Sequence, residues 1–365
     1  MLDRVAEAQQ RPPNASKCVR NTLPRRPIQP HKPNYASSVR QQNGAEFADC
    51  GYLNRTTVGI VGGTAMKYDS EADWHLLNTC NYRCSYCFFP SDVLGDKMRT
   101  YADPQSWASA FDAGGWTWLL HLTGGEPSIY PEFATLCERL TRRHYISINT
   151  NLTGRALPEF AERIDPSRVS FINAGFHPEE RIRRSGRDIF LRNTELLSSK
   201  GFHVLVSVVA TPIALERFAE AVELFEPLGL YPIPKLLRGM HEGRRYPESY
   251  SELDKNRFRV FSARARTAYK TLHADREEWP TIDILHDDDF LGGVPTFTGM
   301  TCDAGYRFFS IAPNGDVHRC GPEERLGNIL DGTFYPRSQS APCNTSYCFY
   351  FCKKYARFGF SAAAN

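Results

Sequence analysis

Apolar runs alternate with amphipathic segments from residue 67 to about residue 240. Short runs rich in branched and aromatic side chains predict strands, and apolar positions three or four residues apart predict helices. The predicted strands lie near 73–79, 117–123, 145–150, 168–174, 202–210 and 229–236. The predicted helices between them lie near 103–114, 131–143, 156–164, 187–200 and 213–228. Six alternating units predict a parallel α/β fold with fewer units than the eight of a closed barrel.

The regions on either side of these units have other patterns. Residues 1–66 are rich in Pro, Gln, Asn and Arg, which predicts a leader that is partly disordered or draped on the core. Residues 241–301 contain an amphipathic helix near 251–272, and we expect this connector to cover the open side of the barrel. Residues 302–365 combine five cysteines with an Asn-Gly hairpin signal, which predicts a small C-terminal domain.

Length, charge and cysteine content narrow the class of protein. A length of 365 residues predicts about two domains. A net charge of +3 does not indicate the strongly basic surface of a nucleic-acid-binding protein. No apolar run approaches the roughly 20 residues that span a bilayer, and the first ten residues lack the order of a signal peptide. We therefore expect a cytoplasmic protein without a membrane partner. Eleven cysteines in a cytoplasmic protein indicate metal or catalytic sites rather than disulfides.

Three cysteines follow the first predicted strand at a Cys-x3-Cys-x2-Cys spacing, namely Cys80, Cys84 and Cys87. Three thiolates on one loop can hold three corners of a [4Fe–4S] cluster and leave the fourth iron without a protein ligand. A zinc knuckle or a set of redox thiols is the alternative. Zinc usually takes four ligands, and no fourth Cys or His lies at a suitable local spacing.

A second motif, Gly124-Gly125-Glu126, follows the second predicted strand about 40 residues later. The glycines allow close approach of backbone to a ligand, and the Glu126 carboxylate can accept a ligand ammonium group. Alone, the motif also fits a tight turn before a helix. Together, the two motifs resemble those of the radical S-adenosylmethionine (radical SAM) enzymes.

That resemblance implies an open (β/α)6 partial TIM-type barrel. The implied cofactors are a [4Fe–4S] cluster and S-adenosylmethionine, whose amino and carboxylate groups chelate the open iron. The implied electron donor is a protein of the flavodoxin or ferredoxin type.

The resemblance also suggests further cofactor contacts, because chemistry gathers at the carboxyl ends of parallel strands. Tyr86 is expected near the adenine, and Arg184 or Arg187 near the methionine carboxylate. The polar side chains expected to reach the ribose and carboxylate are Asn149, Asn151, Asn173 and Ser207. Such residues at strand ends often only cap helices. His177 is a candidate proton donor or acceptor for the substrate, and a loop histidine in water is the alternative.

A second group of cysteines lies in the C-terminal region and consists of Cys302, Cys320, Cys343, Cys348 and Cys352. Four thiolates would hold an auxiliary [4Fe–4S] cluster or, equally well on these residues, a structural zinc ion. The spacing resembles the SPASM/twitch extension of radical SAM enzymes. A full SPASM set has seven cysteines and two clusters, so five cysteines favour one auxiliary cluster over two. Cys343, Cys348 and Cys352 then compete for two ligand positions.

Two other motifs have competing interpretations. Cys137 lies at helical spacing with Leu136 and Leu140, which favours a core position. The run Asp287-Asp-Asp289 can bind Mg²⁺, and we expect a solvated turn instead.

The predicted activity is reductive cleavage of S-adenosylmethionine to a 5′-deoxyadenosyl radical, which removes a hydrogen atom from the substrate. No leader-peptide-binding pattern is visible, so we expect oxidation or epimerisation of a small polar metabolite such as a sugar, aminocyclitol or antibiotic precursor. The alternatives are a maturase that oxidises or crosslinks a ribosomal peptide, and a zinc-stabilised binding protein without enzymatic activity.

Overall fold

A computed structural model describes most of the chain between residues 57 and 345. The described ranges are 57–61, 64–87, 89, 101–272, 284–293, 297–321 and 324–345. Residues 1–56 of the predicted leader lie outside the described residues, as do Cys348 and Cys352.

One nine-stranded sheet forms the centre of the described structure. Its strand order is β14-β13-β12-β3-β4-β5-β6-β7-β8. The strands in chain order are β1 (Thr57–Val61), β2 (Thr64–Tyr68), β3 (Ser70–Leu77), β4 (Trp118–Gly124), β5 (Tyr145–Thr150), β6 (Val169–Gly175), β7 (Val204–Val209), β8 (Ile233–Lys235), β9 (Gly239–His241), β10 (Arg244–Tyr246), β11 (Thr301–Cys302), β12 (Phe308–Ile311), β13 (Asp316–His318), β14 (Arg325–Asn328) and β15 (Ala341–Pro342).

Strands β3 to β8 pair in chain order, and every neighbouring pair among them is parallel. β8 lies at one edge of the sheet and β14 at the other, so the barrel is open. The predicted fold class, an α/β fold with an open six-unit partial barrel, is confirmed.

Helices lie between and after these strands in the chain. They are α1 (Pro104–Ala113), α2 (Phe133–Thr141), α3 (Leu157–Arg163), α4 (Pro178–Arg183), α5 (Arg187–Ser199), α6 (Pro212–Glu216), α7 (Phe218–Phe225) and α8 (Glu252–Leu272). Trp74 of β3 packs at 4.5 Å from Trp107 of α1, and both are fully buried. Burial of a large apolar side chain stabilises the fold by about 1.5–3 kcal/mol, so this contact anchors α1 on the sheet.

Most predicted elements agree with the structure within a few residues, and two differ. The predicted helix 213–228 is interrupted at Arg217, where the backbone (φ −98°, ψ 14°) separates α6 from α7. The last strand begins at Ile233 rather than near 229, because Gly229 adopts φ +68° and ends the preceding short helix. Helix α4 is absent from the predicted elements.

The C-terminal segment continues the sheet of the core. β12 pairs in parallel with β3, and Ile311 lies opposite Trp74. β12 and β13 form the predicted hairpin, whose turn includes Gly315 at φ +87°. The domain boundaries 67–240, 241–301 and 302–365 remain a prediction.

Helix α8 packs against one face of the sheet. Its Ala265 and Tyr269 form a buried cluster with Phe171, Leu205 and Ile233 of three adjacent strands. Among the described residues, no helix is long and apolar enough to cross a membrane.

The expectation of a solvated turn at Asp287 is wrong. The Asp287 side chain is buried and accepts hydrogen bonds from the backbone N–H of Leu236 at 2.8 Å and from Arg238 at 3.1 Å. The aspartate therefore helps to hold the end of β8 in place.

Candidate active site

The predicted cluster ligands lie together on the loop after β3. Cys80, Cys84 and Cys87 are each half-buried and close enough to influence one another electrostatically. The loop turns tightly, because the N–H of Cys87 donates to the carbonyl of Cys84 at 3.0 Å. Burial raises the pKa of Cys80 to about 11 and that of Cys84 to about 12, and the neighbouring thiols add to this effect. A bound metal reverses this preference, because a coordinating thiol is deprotonated.

The two glycines of the second motif bring the end of β4 against the start of the cysteine loop. A Cβ on Gly124 would meet the carbonyl oxygen of Leu77 at 2.3 Å, and one on Gly125 would meet that of Thr79 at 2.1 Å. The N–H of Gly125 donates to Leu77 at 2.7 Å, and that of Glu126 to Thr79 at 2.9 Å. Glycine is therefore required here for contact with the chain's own backbone.

Glu126 is fully buried and held by hydrogen bonds from two segments. Its Oε1 accepts from the backbone N–H of Ser128 at 3.0 Å and from the Thr150 hydroxyl at 2.5 Å. The Ser128 hydroxyl also donates to Oε1, and the Asn151 N–H donates to Oε2 at 2.6 Å. Desolvation raises the pKa of Glu126, and these hydrogen bonds oppose that effect. Each carboxylate oxygen has two lone pairs, and Oε2 accepts only the Asn151 hydrogen bond among the described residues, so Oε2 has one acceptor position left for a ligand.

The polar residues at the ends of β5 and β6 also lie close together. Asn173 donates a side-chain hydrogen bond to Asn149, and its own Oδ1 is buried without a partner among the described residues. Asn151 donates to Asn81 of the cysteine loop at 2.9 Å. Ser207 on β7 lies opposite Gly175 and is buried. The structure thus gathers these residues at the expected edge, while their cofactor contacts remain a prediction.

His177 and Tyr86 connect the cysteine loop to the end of β6. The Tyr86 hydroxyl and His177 Nδ1 lie 2.9 Å apart, and the Tyr82 ring meets the histidine edge-on at 5.9 Å. Desolvation, with the nearby charges of Arg181 and Lys235, lowers the pKa of His177 to about 3. His177 is half-buried and lies within hydrogen-bond distance of Tyr86, and these contacts together with the lowered pKa favour a neutral imidazole over the alternative of a loop histidine in water.

The two arginines proposed for carboxylate binding lie at the surface. Arg184 binds Glu180 at 2.9 Å, and the Arg187 side chain is 66% exposed next to Asp188. The buried arginine is Arg181 on α4, which donates to the Tyr82 hydroxyl at 2.8 Å. Sequence reasoning missed this residue with its helix, although Pro178 is a typical first residue of a helix.

The central part of the chain resembles a known protein family. A family model described as the radical SAM superfamily matches residues 74–225. These residues belong to the radical SAM superfamily. The matched range holds the cysteine loop, the Gly-Gly-Glu motif and strands β4 to β7.

Individual proteins resemble a larger part of the chain. Mycofactocin maturase MftC from Mycobacterium ulcerans (strain Agy99) is 25% identical, and the match covers 74% of each chain. The structure of native anSMEcpe with bound AdoMet is 20% identical with a TM-score of 0.50, covering 72% of this chain and 79% of that one. The structure of native anSMEcpe with AdoMet and Kp18Cys peptide has the same identity and TM-score, covering 72% and 78%. The structural matches show a shared fold.

Proteins of the radical SAM superfamily bind a [4Fe–4S] cluster and S-adenosylmethionine, and the match over residues 74–225 implies these cofactors. The cysteine loop fits the cluster, because it carries three thiols that influence one another electrostatically and follows the carboxyl end of β3. Within the described ranges, no three His, Cys, Asp or Glu side chains are arranged around a single metal-ion position, and no described cysteine forms a disulfide. Cys137 is fully buried in the core, as predicted.

The C-terminal cysteines that the structure describes lie around β11 and β15. Cys302 and Cys320 both pack against the buried pair Ala304 and Phe308. Cys343 follows β15, and its N–H donates to the carbonyl of Met300 at 2.8 Å. Their role as ligands remains a prediction, since Cys348 and Cys352 lie outside the described residues.

Proposed function

We propose that Cys80, Cys84 and Cys87 hold the [4Fe–4S] cluster of this radical SAM enzyme and that S-adenosylmethionine binds beside them at the carboxyl ends of the strands. The observation that carries this proposal is the junction between the cysteine loop and the Gly-Gly-Glu motif. There, backbone hydrogen bonds of 2.7 and 2.9 Å fix the thiols next to Glu126. No other loop among the described residues combines three cysteines with a buried carboxylate.

When bound and reduced, the cofactor pair supplies a 5′-deoxyadenosyl radical. The protein positions the reactants and excludes water and competing hydrogen donors. In this proposal the remaining acceptor position of Glu126 takes the ammonium group of S-adenosylmethionine. Tyr86 and the polar residues Asn149, Asn151, Asn173 and Ser207 bind the rest of that molecule, while the surface positions of Arg184 and Arg187 make them the weaker candidates. Neutral His177 accepts or donates one proton at the ring nitrogen not bound by Tyr86.

We infer a peptide substrate, so that the enzyme is a maturase. Two observations support this substrate class, namely the likeness to a protein named as a maturase and the resemblance of the C-terminal cysteines to SPASM enzymes, most of which handle peptides. The expected oxidation or epimerisation of a small polar metabolite is the second candidate. The segment Phe176-His-Pro-Glu resembles segments of enzymes that act on such compounds, but part of it has a packing role, because Phe176 is buried and its ring lies 5.2 Å from that of Phe190.

The C-terminal cysteines complete the proposal. Cys302, Cys320 and two of Cys343, Cys348 and Cys352 would hold one auxiliary [4Fe–4S] cluster, which accepts an electron when the net reaction is an oxidation. A flavodoxin- or ferredoxin-type protein is the proposed source of the electron for the first cluster.

Formation of 5′-deoxyadenosine tests this proposal. Anaerobically reconstituted, reduced enzyme is expected to produce it from S-adenosylmethionine, and Cys84→Ala is expected to abolish it because one cluster ligand is lost. Cys137→Ala is the matched control, since it removes a buried core thiol and should leave cleavage intact. Absence of the product from the wild-type enzyme, with deuterated peptide or metabolite candidates present, would refute the activity. Deuterium transfer from one candidate class identifies the substrate.

A further inference from the structure

Arg181 is a buried cation without a carboxylate partner. It is 2% exposed, whereas the neighbouring arginines Arg183 and Arg184 both bind Glu180. Among the described residues, no carboxylate forms an ion pair or a hydrogen bond with Arg181. A buried charge without a counter-charge is unfavourable, so such charges are normally paired or bound to a metal site. The position of this charge therefore needs an explanation.

The guanidinium group joins four segments of the active site. Nη1 donates to the Tyr82 hydroxyl at 2.8 Å and to the Gly186 carbonyl at 3.3 Å. Nη2 donates to the Gly175 carbonyl at 3.1 Å and to the carbonyl of Asn151. Tyr82 lies on the cysteine loop, Asn151 follows β5 and Gly175 ends β6. Arg181 thus fixes the cysteine loop against the ends of two strands.

The charge of Arg181 acts on the same loop. Its guanidinium carbon lies 4.1 Å above the Phe190 ring, which closes one side of the group. Glu126 is the nearby carboxyl group whose negative charge favours the charged arginine without binding it directly. Desolvation lowers the pKa of Arg181 only to about 10, so the side chain remains positive at neutral pH.

We propose that Arg181 is a positioning residue for the cysteine loop and the buried counter-charge of the cluster bound there. The inference rests on the proposed function, since it requires the cluster on Cys80, Cys84 and Cys87. Through Tyr82, the guanidinium fixes the loop between two of its cysteines. Because a reduced cluster carries one more negative charge than an oxidised one, a nearby buried cation favours the reduced state and raises the reduction potential.

The test is an EPR-monitored redox titration of the reconstituted full-length protein, following only the signal that responds to S-adenosylmethionine. Arg181→Gln removes the charge and should make the potential more negative. Arg181→Lys keeps the charge and should stay close to the wild-type potential. Arg192→Gln is the matched control, because it removes the same charge from an exposed position of α5 that has no part in the proposed site, and it should not change the potential.

A second variant separates positioning from charge. Tyr82→Phe removes the hydroxyl that Arg181 binds and leaves the charge in place. We expect an unchanged potential and a several-fold weaker affinity for S-adenosylmethionine, measured by equilibrium dialysis.

Two results would overturn the inference. One is an Arg181→Gln potential equal to that of the wild type, and the other is an equally large change in Arg192→Gln. If Arg181→Gln fails to bind a cluster, the lysine variant decides, because a clearly more negative potential there contradicts a role for the charge. A wild-type protein without a responsive cluster would instead refute the proposed function.

Discussion

At the residue scale, two histidines whose pKa is lowered by desolvation make the stability of the fold depend on pH. Desolvation lowers the pKa of His177 to about 3 and that of His144 to about 4, whereas histidine in an unfolded chain has a pKa near 6.5. Below about pH 6.5 the unfolded chain therefore binds protons that the folded protein does not. Each histidine then lowers the free energy of unfolding by up to about 1.4 kcal/mol per pH unit.

This linkage predicts the behaviour of two variants. In His144→Gln and in His177→Gln, unfolding should take up about one proton fewer between pH 6.5 and 4. The free energy of unfolding, measured with urea at several pH values, should therefore fall less steeply as the pH is lowered. His144 lies against the N–H of Trp118 at the far end of β4, so its variant should keep full 5′-deoxyadenosine formation, whereas the His177 variant should form less product. An unchanged pH slope in His177→Gln would show that this imidazole is not buried and neutral.

Glu126→Gln is expected to destabilise the site. The new amide can keep a carbonyl oxygen toward Ser128 and Thr150, but its NH2 group then faces the N–H donor of Asn151. An unsatisfied buried donor costs about 1–3 kcal/mol. Chemical unfolding should show this loss together with weaker binding of S-adenosylmethionine. Glu132→Gln, at an exposed position, is the control, and equal behaviour of the two variants would contradict the account.

At the scale of elements, the contact between the β3 and β4 ends decides whether the cysteine loop forms. Gly125→Ala would place a Cβ 2.1 Å from the Thr79 carbonyl oxygen, so the loop must move away from the Gly-Gly-Glu motif. We expect the variant to lose most of its reconstituted iron while the sheet still folds, measured by iron analysis and circular dichroism. Gly114→Ala is the control, since a Cβ at that position would have no atom within 4 Å. Full iron loading of Gly125→Ala would contradict this view.

The elements also show what the sequence can and cannot predict. Strands such as β5 have a regular apolar pattern, and its predicted bounds, 145–150, agree with the structure. Helix α4 has six residues, which is too short for a periodic pattern, and so the sequence does not reveal Arg181. Two donors to Glu126, the Thr150 hydroxyl and the Asn151 N–H, come from residues about 25 positions away, and local patterns do not specify such pairings.

At the scale of the whole molecule, the C-terminal segment is built onto the barrel through β12. This parallel pairing joins residues more than 200 positions apart, and no local signal predicts it. The arrangement predicts two separate iron–sulfur sites in one protein. Wild-type protein should bind about eight irons, and Cys302→Ser with Cys320→Ser about four, measured by iron and sulfide analysis. A wild-type protein with four irons, or with zinc, would refute the auxiliary cluster.

The central claim is that one iron of the cluster on Cys80, Cys84 and Cys87 has no protein ligand and binds S-adenosylmethionine. Mössbauer spectroscopy of the ⁵⁷Fe-reconstituted Cys302→Ser, Cys320→Ser protein tests it most directly, because only the first cluster remains. The account predicts that S-adenosylmethionine changes the spectrum of one iron in four. Four irons that do not respond to S-adenosylmethionine would contradict it.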